Sequence, residues 1–143
     1  MKPFSLDIVL DYRQRLEDAA RNDFFVAKNQ KKILEREIVQ KENEQIFLIE
    51  ECEKLKQESC PILDLITIEN KISYIRQHIK ELYTLLEKKE TLVRKAHAHL
   101  VTRSKEKKVM EKLKEKQNAE WQKYINKKEA AMLDEIAILR HTR

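Results

Sequence analysis

Residues Leu65–Leu100 read LITIENKISYIRQHIKELYTLLEKKETLVRKAHAHL. Leu65, Ile68, Ile72, Ile75, Ile79, Leu82, Leu86, Val93, Ala96 and Leu100 recur at alternating steps of three and four, and only Lys89 interrupts them. That spacing is the heptad seam of a long α-helix. A stripe this narrow cannot be hidden by the helix that bears it, so a second helix must lie along it.

The chain holds 143 residues, 38% of them charged and 6% aromatic, with no glycine and with proline at positions 3 and 61 only. Left-handed helix caps and phosphate-cradling loops lean on glycine, so the composition excludes a nucleotide-binding α/β domain and a β-meander. It is the composition of long helices. No apolar run reaches the ~18 residues that a membrane span needs. Asp7 interrupts the early apolar run where a signal peptide would stay apolar, and a cytoplasmic protein is expected. Cys52 and Cys60 are too few for a disulfide framework or a zinc site. Cys52 falls on a helix seam and reads as a small buried thiol.

Before the quoted stretch, Leu16, Ala20, Ala27, Leu34, Ile38, Leu48, Cys52 and Leu55 make a patchier seam, with Gln30 or Lys31, Lys41 and Gln45 at apolar places. Phe24 and Phe25 exceed the need of one seam, so one of them faces outward. The first helix is expected over about 5–58, capped by Ser5 or Asp7. Glu58-Ser59-Cys60-Pro61 is the break, since proline cannot continue the helix before it. Ser59 is read as the next cap, and Ile62-Leu63 as a staple at the corner. The second helix runs from about 62 to 140.

Two long helices joined by a short turn run antiparallel. The expected fold is thus all-α, one antiparallel coiled-coil domain over 1–143 with the longer helix second. A turn near Cys60 makes paired residue numbers sum to about 121. Ile38 then meets Leu82, Leu34 meets Leu86, Ala27 meets Val93 and Leu6 lies near Glu115. Residues 118–143 are left without a partner in the same chain, an overhang on the order of 40 Å. The seam weakens where Arg103, Lys107 and Lys114 take core places. It recovers at Trp121, Ile125, Met132, Ile136 and Leu139, a stripe that a lone helix should not carry into water. A docking stripe at the free end, shared with Phe4, Leu6, Leu10 and Tyr12, answers to that pattern. Self-association answers to it as well.

Residues 88–128 hold 14 basic and 5 acidic side chains. Such an excess attracts nucleic acid or acidic surfaces. The lysines are read as running round the helix rather than along one edge, and no zipper adjoins a basic region, so nucleic acid is not expected as a partner. Catalysis finds no support. His97 and His99 point to different sides of a helix, and His78 and His141 stand alone. No metal or other cofactor is expected.

The two ends together resemble a known family. Phe4-Ser5-Leu6-Asp7-Ile8-Val9-Leu10, with Arg13 and Glu17-Asp18-Ala19-Ala20, resembles the N-terminal signature of FliJ, the small coiled-coil protein of the bacterial flagellar type III export apparatus. Lys127-Lys128-Glu129, Met132-Leu133-Asp134-Glu135-Ile136-Ala137 and Arg140 are similar to its C-terminal signature. The resemblance implies an antiparallel coiled coil like the stalk of rotary ATPases, without activity or cofactor of its own. It implies three partners: the hexameric flagellar export ATPase, the membrane-embedded export gate and the export chaperones. Contact with the membrane would then be peripheral, through these partners, at the flagellar base. Leu6, Leu10, Trp121, Ile125, Ile136 and Arg140 become candidates for the ATPase ring. Tyr74, His78, Glu81 and Leu85, one step round from the seam, become candidates for the gate. The turn here is shorter than the glycine-bearing connector of many relatives. The stalk of a non-flagellar type III secretion system and a self-associating tether are the alternative readings.

Overall fold

The structure, a computed structural model, describes residues 6–142. Two helices make up the fold: α1, Asp7–Gln57, and α2, Ile62–His141. They pack against each other and the second is the longer, as the heptads require. No described residue has positive φ, so α1 ends without the left-handed cap that glycine would favour. The Cys60 thiol instead donates to the Leu55 carbonyl at 3.0 Å, satisfying one of the acceptors left open at a helix end.

The start signals differ from expectation. Ser5 lies outside the described residues. Asp7 is already inside α1, where its carboxylate meets Lys114 at 2.6 Å. At the turn, the Pro61 carbonyl accepts from the amides of Asp64 and Leu65, which puts Pro61 at the cap and leaves Ser59 in the turn before it. Ile62 and Leu63 are exposed rather than stapled, because the first turn of α2 directs them away from α1.

Contacts group the chain into two compact units. One comprises Asn22–Ala98. In it Leu34, Ile38 and Leu82 form a buried cluster with Leu86 packed against it, the pairs that a sum near 121 predicts. Phe24 turns inward onto His97, with ring centroids 5.2 Å apart, and Phe25 faces out. Lys89, which interrupts the apolar seam, reaches the Gln30 side chain. Cys52, Ile72 and Ile79 complete the buried set. The Tyr83 hydroxyl donates to the Glu42 carboxylate. That bond, helped by desolvation and by the carboxylate charge, holds the phenol above its ordinary pKa.

The other unit comprises Met1–Arg21 and His99–Arg143. Here the heptad phase set by Ala20 runs back to Glu17 and Arg13, with Leu16 beside them, so charge enters the seam. Glu17 is 5% exposed. One of its carboxylate oxygens meets Arg21 at 2.8 Å and Lys107 at 3.5 Å. Arg13 and Arg103 converge on one oxygen of Glu106, at 2.8 and 3.0 Å. The core places that the sequence assigns to Arg103, Lys107 and Lys114 are thus held by ion pairs. Such a layer adds little net stability but penalises any register that would strand a buried charge.

Candidate functional site

From Asn126 to Thr142 every residue is exposed, although α2 continues to His141. Met132, Ile136 and Leu139 continue the seam phase, and Leu139 is 66% exposed. Upstream, the same phase is half-buried at Trp121 and Ile125. Trp121 stacks on Tyr124 with centroids 5.6 Å apart, and Lys128 lies over the Tyr124 ring. Arg140 sits in the last turn of α2, where its charge meets the negative end of the helix dipole.

Leu10 is a half-buried residue of the α1 seam, and Leu6, in the turn just before α1, is half-buried too. The apolar surface at the start of α1 is presented by Ile8, 79% exposed, and by Tyr12. Ile8 was missed in the sequence because it stands next to seam residues in a dense apolar run. Its place two residues after Leu6 puts it on another helix face.

In the Asn22–Ala98 unit, Tyr74, His78, Glu81 and Leu85 share one face of α2. Tyr74 is 74% exposed. The Tyr74 and His78 rings are nearly parallel with centroids 6.3 Å apart, and Glu81 stands 4.0 Å from His78. Tyr74 borders a hollow of about 480 Å³ that also takes in Lys41, Glu44, Leu48 and Lys71. A second hollow shares Glu44, Leu48 and Ile75 with it and is bordered by Phe47, 59% exposed. Of these α1 residues the sequence reading places Leu48 and Lys41 on the seam and gives Glu44 and Phe47 no role. The register held the signal, since a sum of 121 sets Phe47 opposite Tyr74.

The lysines of α2 run round the helix as expected, with Lys88, Lys95 and Lys128 exposed on other sides, but a subset of them forms a row. Lys107 and Lys114 point at α1 and are paired. Lys105, Lys108, Lys112, Lys116, Lys123 and Lys127 are exposed. Their spacings of 3, 4, 4, 7 and 4 keep them on one side of a 3.6-residue helix. The described residues contain no cluster of His, Cys, Asp or Glu suited to a metal ion. No helix among them is long and apolar enough to cross a membrane.

Two packed helices with the longer one second match the fold that the two terminal signatures imply. A model of the family described as flagellar FliJ protein matches residues 1–143. The chain belongs to this family. No match was found among curated proteins or solved structures. FliJ proteins are non-catalytic components of flagellar export, and membership makes this chain a coiled-coil export component of the FliJ type.

Proposed function

We propose that this chain is the stalk of the flagellar export machine. Its C-terminal extension binds inside the hexameric export ATPase, and the Tyr74 face binds the membrane export gate. By touching both partners it couples ATP hydrolysis to export, and it escorts export chaperones between rounds. The observation that carries this reading is the apolar phase of α2 running on through Met132, Ile136 and Leu139 with every residue exposed. A helix that repeats a core pattern where the described residues offer no cover is built for another surface. A ring lumen covers a helix from all sides, which suits an extension exposed all round. On this reading Trp121, Ile125, Ile136 and Arg140 contact the ring, with Ile8 and Tyr12 joining Leu6 and Leu10 from α1. Tyr74, His78, Glu81 and Leu85 contact the gate, supported by the hollows beside Leu48.

The test is the hydrolysis rate of the cognate export ATPase with the full chain and with a version ending at Gln117. Stimulation by the full chain that is lost on truncation is the expected result. No stimulation and no co-elution with hexameric ATPase refutes the stalk. Concentration-dependent dimers that also vanish on truncation would favour a self-associating tether.

A further inference from the structure

Outside the apolar extension and the Tyr74 face, α2 carries a third feature. Lys105, Lys108, Lys112, Lys116, Lys123 and Lys127 are all exposed. At about 100° per residue they fall within an arc of roughly 100°, and from first to last they span about 33 Å of helix. Val109, Ala119 and Asn126 share that arc. Glu115 and Glu120 fall just beyond its edges. Among the described residues none of the six lysines joins an ion pair or a hydrogen bond. Seam cations of the same unit, Arg103, Lys107 and Lys114, each have an acidic partner. The six charges therefore stand in line, unneutralised, on a helix already formed. The stripe also lies about 180° round α2 from Trp121, Met132 and Leu139. A protein seated on the apolar face would leave it open.

We propose that this stripe seats α2 on an anionic lipid surface. Three observations favour a bilayer over other polyanions. A straight row of six charges meets a plane of headgroups at every position, whereas a straight helix crossing duplex nucleic acid meets phosphates only near the crossing. No aromatic side chain lies on the arc to stack on a base. Val109 and Ala119 keep the face low and apolar between the lysines, so the lysine stems lie flat while their ammonium groups reach the headgroups. Binding is by adsorption, since no described helix suits a span. The lipid-bound state is separate from the ring-bound one: a lumen that covers the extension from all sides would also cover Lys123 and Lys127, so a chain seated in the ring does not lie on the bilayer with its whole stripe.

The test is flotation of the full chain with vesicles of phosphatidylcholine alone and of phosphatidylcholine with 30% phosphatidylglycerol, from 50 to 300 mM salt. A lysine close to an anionic surface contributes about five-fold to partitioning. Replacing Lys105, Lys112, Lys116 and Lys123 by Gln is therefore expected to weaken binding to the anionic vesicles on the order of a hundred-fold or more. Helicity by circular dichroism should not change, because all four side chains are exposed and unpaired. A matched variant with Lys32, Lys71, Lys88 and Lys95 replaced by Gln loses the same net charge away from the stripe and should bind within about three-fold of the parent. Absence of lipid-dependent flotation overturns the proposal. So does an equal loss in the matched variant, which would make binding a matter of net charge. Tighter capture of the stripe by a DNA duplex or by polyglutamate than by anionic vesicles would assign it to those polyanions instead and overturn the lipid assignment.

Discussion

Replacing Glu17 tests whether the charged seam is a designed layer or a tolerated defect. Its carboxylate is nearly shielded from water and lies 2.8 Å from Arg21 and 3.5 Å from Lys107. At 3.5 Å and an effective dielectric constant near 20, the attraction to Lys107 alone is about 5 kcal/mol before desolvation is counted. Much of that is offset, because Glu17 gives up hydration to sit there. Arg21 is 60% exposed, so its pairing is screened and adds little. The net loss for Glu17→Gln, which keeps shape and removes charge, should be about 1–2 kcal/mol. Glu17→Ala, which also opens a gap beside Ala20, should cost about 2–3 kcal/mol. The assay is urea unfolding followed by helical ellipticity, with the midpoint compared at unchanged slope. The double variant Glu17→Leu with Lys107→Leu should recover most of the loss, since apolar replacement of a buried pair is often neutral or better. If Glu17→Gln leaves the midpoint unchanged, the pair contributes nothing and the argument for a register-setting layer fails. A double variant no better than Glu17→Ala would show instead that the layer cannot accept apolar packing.

Leu82→Ala empties the centre of the Leu34–Ile38–Leu86 cluster and should cost about 2–4 kcal/mol, read from the same unfolding curves. A shift below half a kilocalorie would mean that this seam is not the core. Replacing Met132, Ile136 and Leu139 by Gln should leave the unfolding midpoint where it is, because all three are exposed, while abolishing stimulation of the export ATPase; a loss of stability would make the stripe part of the fold. The Tyr83 phenol should titrate above its ordinary value and fall back in Glu42→Gln, followed by ultraviolet absorbance of the phenolate. Because the folded pKa is raised, this bond stabilises the fold fully below the unfolded tyrosine value near 10 and is lost as pH rises through the folded one. Equal titration of the two proteins would remove Glu42 as the cause.

The heptads of Leu65–Leu100 and the break at Pro61 were enough to predict two antiparallel helices and the meeting of Ile38 with Leu82. Heptad periodicity is a local property and a short turn leaves one topology, so no distant information was needed. The terminal signatures carried the family for a similar reason, being contiguous runs of side chains. Tertiary structure decided what periodicity cannot weigh. Which seam positions accept charge depends on the residue opposite: Glu17 enters the seam because Lys107 faces it, and Leu16 stands aside. Whether an apolar residue is core or surface depends on where the partner helix runs. Leu6 and Leu10 turn inward while Ile8 faces out, and Met132 and Leu139 lie bare because α1 offers them no partner. Phe47 gained meaning only once the register set it opposite Tyr74. The lysine stripe was written in spacings of three, four and seven, but only the structure separated the lysines that α1 neutralises from those left facing water. Periodicity fixes which residues share a face; the partner across the seam fixes what that face meets.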